Sequence, residues 1–203
     1  MKVTAIVLAA GSATRFGSPK LLADLDGRPV LMHVLDAAAD AGLDDVVVVL
    51  GDDRQAMERV IAGRRLRVVV NARPVDGLSS SVQLGLREAA ADPGAEAAIL
   101  LLGDQPLVTA GTIRAVLGAA DTSPSAYVHA RYAHDGAPNP VLVRRAAWPD
   151  AEALEGDRGL GPMLAARPRD VLAVDVDGDN PDIDTPSDLA RLARHPATTE
   201  ARA

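Results

Sequence analysis

Gly11, Ser12, Thr14, Arg15, Gly17 and Lys20 fall within ten residues of one another, in the stretch Leu8-Ala9-Ala10-Gly11-Ser12-Ala13-Thr14-Arg15-Phe16-Gly17-Ser18-Pro19-Lys20-Leu21-Leu22. Two glycines admit backbone conformations and close approaches closed to larger residues, and the hydroxyls and two cations add donors and positive charge. The guest that suits such a segment is an anion, and the phosphates of a nucleotide above all. The same residues would also make an ordinary glycine turn with Arg15 and Lys20 in solvent. Asp104 and Asp184, 80 residues apart, stand in turns at a strand end and a helix start. Two carboxylates brought to one point are the usual protein share of a magnesium site that also takes phosphate oxygens. Turn aspartates are common, however, and Asp182 competes with Asp184 for the role. Ser79-Ser80-Ser81 reads either as a helix cap or as a holder of ribose or base. No nucleophile-elbow pattern surrounds these serines. His33, His129, His134 and His195 show no metal-ligand spacing.

The elements around these residues decide where they go. Val3 to Leu8 is a near-continuous apolar run, as expected of a strand buried on both faces. Pro29 suits a first helical position, and apolar residues recur at helical spacing from Val30 to Gly42. Strands are expected at Val46 to Leu50, Leu66 to Val70 and Ala97 to Leu102, with helices at Arg54 to Ala62 and from Ser79 onward. This alternation predicts an α/β protein with a single doubly wound, mostly parallel sheet and helices on both faces. Ligands of such sheets gather at the carboxyl ends of the strands. The first strand delivers the glycine loop to that edge and the fourth delivers Asp104, so Lys20 and Asp104 are expected to share one crevice.

Downstream, Thr109 caps a helix running to Ala120, and Ala126 to Ala130 reads as a strand. Pro140 to Val143 gives a short strand whose leading proline points to an edge position or a change of direction. Trp148 to Leu154 is weakly helical, Gly156 to Pro162 forms a second glycine-rich turn, and Leu160 to Ala166 continues as a helix. Asp170 to Val174 reads as the last strand. Thr185, Pro186 and Asp188 supply an N-cap, an N1 proline and an N3 acid. One domain over residues 1–195 is expected, with 196–203 as a disordered tail.

Composition excludes several functions. A net charge of −7 and 2% aromatic residues argue against a polynucleotide surface, which needs a basic footprint and often stacking platforms. With no cysteine, disulfides, thiolate zinc sites and cysteine nucleophiles are ruled out. No apolar run is long enough for a bilayer and no signal-peptide pattern opens the chain, so a soluble cytoplasmic protein without a membrane partner is expected. The 21 cations are two lysines and nineteen arginines. Lys20 therefore departs from the chain's habit, and a compact ammonium suits a phosphate oxygen.

The glycine loop fits neither a P-loop, since five residues separate Gly11 from Gly17 and Lys20 comes three later, nor a dinucleotide fingerprint, since the first glycine pair is absent. Taken with Gly77-Leu78-Ser79-Ser80-Ser81, Gly103-Asp104-Gln105-Pro106, Gly156-Asp157-x-Gly159 and Asp182-Ile183-Asp184-Thr185-Pro186, it resembles the molybdenum-cofactor nucleotidylyltransferase family, over about residues 3 to 193. The order of the motifs is most similar to the molybdopterin cytidylyltransferase branch, as is the Ala9-Ala10-Gly11 start. The resemblance implies the Rossmann-like nucleotidyltransferase fold and transfer of CMP from CTP to the terminal phosphate of molybdopterin. It implies that Leu8, Ala9, Ala10, Gly11, Ser12, Arg15 and Lys20 bind the nucleotide and that Ser79, Ser80 and Ser81 lie near the nucleoside. By the same resemblance Asp104 and Asp184 hold Mg2+, and Lys20, Arg15 and Asp104 are the catalytic set. Gly156, Asp157, Gly159 and Asn139 would meet the phosphorylated pterin, Asn139 standing where the family often has His before Pro. A cofactor-receiving enzyme is the implied protein partner. Use of GTP, another phosphorylated acceptor, or a non-catalytic nucleotide-binding or cofactor-delivery module are the alternatives.

Overall fold

The computed structural model describes residues 1–11, 16, 17, 19–133 and 137–194. Seven strands form one sheet: β1 (Val3–Ala9), β4 (Val46–Leu50), β5 (Arg67–Val70), β6 (Ala97–Leu102), β7 (Tyr127–Tyr132), β8 (Val141–Arg144) and β9 (Val171–Val176). A hairpin of β2 (Asp24–Leu25) and β3 (Arg28–Pro29) stands apart from it. The sheet order is β5-β4-β1-β6-β8-β7-β9, and β8 alone of the seven runs antiparallel to its neighbours. This is the doubly wound, mostly parallel sheet that the sequence predicts.

The apolar run in β1 follows from cover on both faces. Ala5, Val7 and Ala9 face a core shared with α1 (Val30–Asp40) and α4 (Ala110–Thr122), through residues such as Val34 and Ile113. Ile6, Leu8 and Ala10 face a second core with α3 (Leu78–Ala90), the 3₁₀ segment Arg145–Ala153 and α5 (Gly161–Ala166), through Val82, Leu86, Trp148 and Met163. No side of the strand meets water, so no alternation survives in the sequence. The remaining helices are α2 (Arg54–Ile61) and α6 (Pro186–Ala193).

Several expectations shift. Pro29 is not the first helical residue: it ends β3 as the N-cap of α1, with φ −56° and ψ 141°. The cause is the Asp26-Gly27 turn, where both residues take positive φ (52° and 81°) and close the hairpin with Asp24 opposite Pro29. Pro140 does not mark an edge strand. It precedes β8, which lies inside the sheet between β6 and β7, and its carbonyl accepts from the Ala130 amide, so the ladder asks no donor of it. The change of direction is what survives of that reading. α3 begins at Leu78 with Gly77 as N-cap, so Ser79–Ser81 do not cap it. By contrast, Thr109 caps α4, and Thr185 and Asp188 form a reciprocal capping box on α6. The expected tail, residues 196–203, lies outside the described residues.

The strand order also locates the site. The chain passes from β1 to β4 and β5 on one side, then through α3 to β6 on the other side of β1. The carboxyl ends of β1 and β6 therefore flank the point where the winding reverses, where crevices form in open α/β sheets. The register pairs Leu8 with Leu102, so the segments starting at Ala9 and Gly103 emerge side by side. Among the described residues, no helix is long and apolar enough to cross a membrane.

Candidate active site

A cleft of about 470 Å³ opens at this point, lined by residues from β1 and its loop, the start of α3, the end of β6 and the segment before α6. Lys20 stands in it, at the start of a 3₁₀ turn that Pro19 opens and the buried Leu21 anchors. Its Nζ donates to Asp104 Oδ2 at 2.6 Å and to Asp184 Oδ1 at 3.1 Å. The lysine side chain is only 12% exposed, so the charge is held by protein and not by solvent. Burial works to lower the Lys20 pKa, but the charges and hydrogen bonds of Asp104 and Asp184 more than offset it, and the net direction is upward. The two acids are themselves joined through backbone, since the Ile183 amide donates to the Asp104 carbonyl at 2.9 Å. Of the two lysines, Lys2 pairs with Asp92 at the surface, and Lys20 is the one in the cleft.

Asp182 also lines the cleft but does not share the lysine. Its Oδ1 accepts from Gln105 Nε2 at 2.8 Å, and Gln105 Oε1 accepts from Asn180 Nδ2 at 3.1 Å. Gln105 and Asn180 are each 1% exposed. Burial raises the Asp182 carboxyl above its ordinary value, and the nearby Asp104 charge adds to that, against the Gln105 hydrogen bond. Neither Gln105 nor Asn180 stands out in the sequence as a site residue. A buried amide in a turn has no periodic signature, and its partner lies 77 residues away.

The other expected residues divide. Leu8, Ala10, Gly11, Ser81 and Asp157 line the cleft, whereas Ala9 faces the opposite core. Ser79 is buried, and its amide donates to the Gly156 carbonyl at 3.1 Å. Gly156 takes a φ of 63° and its backbone lies against Gly77, and a Cβ on Gly159 would meet Leu78 at 3.2 Å. Asn139 follows β7 at the same sheet edge but does not line the cleft. Ser12 and Arg15 lie outside the described residues.

Two glycines of this region make opposite predictions. At Gly77, φ is 91° and an added Cβ would lie 2.3 Å from the Gly156 carbonyl carbon. Gly77→Ala is expected to cost more than about 2 kcal/mol in urea unfolding, because backbone cannot yield as a side-chain tip does. At Gly11 an added Cβ meets nothing within 4 Å among the described residues, φ is not positive, and the residue lines the cleft. Gly11→Ala is expected to leave stability within about 0.5 kcal/mol of wild type while weakening binding of whatever fills the cleft. Equal unfolding midpoints for the two variants would contradict this division.

The family model of the MobA-like NTP transferase domain matches residues 5–171. The chain belongs to that family. The crystal structure of Rv0371c from Mycobacterium tuberculosis H37Rv superposes with a TM-score of 0.83 at 31% identity, over 96% of this chain and 98% of that one. A complex of the same protein with manganese gives a TM-score of 0.81 at 30% identity, over 96% and 100% of the two chains. A nucleotidyl transferase from Methanothermobacter thermautotroptrophicus gives 0.77 at 27% identity, over 96% and 97%. The bifunctional protein GlmU of Syntrophomonas wolfei is 32% identical over 119 residues, 58% of this chain and 26% of that protein. The chain thus spans about a quarter of the length of the GlmU relatives it matches. Within the MobA-like NTP transferase match, β1 and its loop, Lys20, the start of α3 and Asp104 are all included, while Asp182 and Asp184 fall past its end at residue 171.

Proposed function

We propose that this chain is a magnesium-dependent nucleotidyltransferase that moves CMP from CTP to the terminal phosphate of molybdopterin and releases pyrophosphate. The observation that carries the reading is the Lys20 ammonium held between Asp104 and Asp184 in a cleft at the switch point of the sheet. Phosphoryl-type transfer asks the protein for positioning and electrostatic stabilisation, and for no nucleophilic side chain. Membership in the MobA-like NTP transferase family and the likeness to the Methanothermobacter nucleotidyl transferase support it. An oxygen of the acceptor's phosphate attacks the α-phosphorus, the bond from that phosphorus to the α,β-bridging oxygen breaks, and pyrophosphate leaves with the electron pair. Lys20, Arg15 and the loop amides from Leu8 to Ser12 hold the triphosphate, and the α3 serines lie toward the nucleoside. Asp157, with Gly156 and Gly159 shaping its turn, faces the acceptor side.

A divalent cation fits the donor set. Among the described residues, Asp104, Asp157, Asp182 and Asp184 line the cleft against one ammonium, so a triphosphate would be repelled unless a cation came with it. No group of three or more ligating side chains among the described residues already converges on a point. Magnesium sites completed by substrate phosphates have this form, with one or two carboxylates from the protein. Asp104 and Asp184 would hold the ion, which when bound would neutralise charge on the phosphates in transfer. The manganese complex of the mycobacterial relative supports a divalent ion. The resemblance of Ala9-Ala10-Gly11 to the cytidylyl branch supports CTP over GTP. The product would pass, in the cytoplasm, to a cofactor-receiving enzyme by transient contact.

Pyrophosphate release measured with each of the four nucleoside triphosphates, with and without purified molybdopterin, tests the reading. Release is expected with CTP, magnesium and molybdopterin together. Release independent of molybdopterin with every triphosphate would sink the acceptor, and preference for GTP would move the chain to the guanylyl alternative.

A further inference from the structure

We infer that Asn71 is a positioning residue that fixes the Ser81 hydroxyl as a hydrogen-bond donor to an acceptor oxygen of the nucleoside. The inference rests on reading the cleft as a nucleotide site. Asn71 follows β5, is 7% exposed, and its amide donates to the Leu50 carbonyl at 2.8 Å, which pins its backbone to the sheet. Its side-chain Oδ1 accepts from the Arg73 amide at 2.9 Å. The carboxamide therefore has one orientation, because the flipped amide would set NH2 against N–H. Both Nδ2 protons are then committed, one to Ser80 Oγ at 2.8 Å and one to Ser81 Oγ at 3.0 Å.

The two serines end up with different polarity. Ser80 passes its own proton to the Gly77 carbonyl at 2.7 Å, so its hydroxyl is used up inside the chain. Ser81 accepts from Asn71, and its proton has no acceptor among the described residues, although Ser81 is 4% exposed and lines the cleft. A buried hydroxyl with one lone pair held by a fixed amide still has its proton to donate, and leaving that proton unpaired is costly. The cleft is where that proton finds an acceptor.

The placement selects the nucleoside end of the guest. α3 lies over β1 and β4, close enough that a Cβ on Gly85 would meet Ile6 at 2.5 Å and Val49 at 3.3 Å. Asp104 follows β6, on the other side of β1. A nucleotide with its phosphates at Lys20 thus extends toward Ser81, between the apolar walls of Leu8, Pro74 and Leu78.

The test is calorimetric binding, with magnesium, of CTP, GTP, their 2′-deoxy analogues and inorganic tripolyphosphate to wild type, Ser81→Ala and Asn71→Asp. Asn71→Asp replaces the donor by an acceptor, so the Ser81 proton turns inward and the cleft loses it without loss of the hydroxyl. Both variants are expected to bind the preferred nucleotide about tenfold more weakly, one hydrogen bond's worth, with tripolyphosphate affinity unchanged in Ser81→Ala. Equal losses for ribo- and deoxynucleotide assign the oxygen to the base, and a loss confined to the ribonucleotide assigns it to the ribose. Unchanged nucleotide affinity in Ser81→Ala overturns the inference, as does an equal loss for tripolyphosphate. If wild type binds tripolyphosphate but no nucleoside triphosphate more tightly, the nucleoside contact itself is refuted; if it binds neither, the proposed function falls. Should Asn71→Asp fail to fold, Asn71→Ala takes its place with the same expected pattern and the same refuting one.

Discussion

Lys20→Ala is expected to lower turnover about 10²–10³-fold while the sheet stays folded, the loss typical of removing one preorganised partner of transition-state charge. Among the described residues Lys20 is the one cation lining the cleft, and it stands 12% exposed between two carboxylates. Its removal leaves those carboxylates facing the incoming phosphates with nothing to balance them. Lys20→Arg is expected to restore little, because a planar guanidinium cannot take the place of a compact ammonium between Asp104 and Asp184. Steady-state pyrophosphate release checks both, and a loss below about threefold in the alanine variant would contradict the role. The pH dependence has a definite sign. Burial lowers the Lys20 pKa, the paired carboxylates raise it, and the net shift is upward. Its stabilisation is fully present below the unfolded lysine value of about 10.4 and is lost only as pH rises through the higher folded value. Wild-type nucleotide affinity should accordingly show no alkaline fall from this group up to about pH 10.

Asp104→Asn is expected to abolish turnover, by at least about 10²-fold, while nucleotide binding is weakened but still measurable. Asparagine keeps the shape and the backbone bond from Ile183 to the residue 104 carbonyl. What it removes is the negative charge that pairs with Lys20 and, in the proposed reaction, holds magnesium. The variant also separates the proposed enzyme from a module that only binds and delivers a nucleotide. Full activity in Asp104→Asn would refute the metal role, and unchanged nucleotide affinity with no wild-type turnover under any condition would favour the binding module.

What could be read from the sequence was whatever has a period or a local rule. Strands such as Val46 to Leu50 are apolar on both faces, so their composition alone declares a covered parallel sheet. Thr109 and Thr185 are caps because capping is settled within four residues. The meeting of Lys20 with Asp104 followed from topology, since both leave strand ends on one edge of the sheet. Tertiary pairing is where such reading stops. Ser79–Ser81 look like a cap in isolation, but the helix starts at Leu78 after Gly77, and Ser80 and Ser81 bond Asn71 with Ser81 on the cleft. Pro140 looked like an edge marker because the sequence does not disclose that its missing amide proton is never asked for. Gln105 and Asn180 carry no local signal, since their partners are set by how the segment before α6 returns across the end of β6. Asn139, by contrast, lies at the expected edge yet outside the cleft lining, because β8 inserts between β6 and β7 and moves that loop away from β1.

The reaction proposed for the Lys20–Asp104–Asp184 cleft is transfer of the nucleotidyl group of a nucleoside triphosphate, through its α-phosphorus, to a phosphorylated acceptor. Incubating the protein and magnesium with molybdopterin and CTP radiolabelled at either the α- or the γ-phosphate tests it most directly. The α-label is expected covalently on the acceptor and the γ-label in pyrophosphate, both lost in Lys20→Ala and Asp104→Asn. Transfer of the γ-label to the acceptor, or α-label on the acceptor at undiminished rate in both variants, would contradict it.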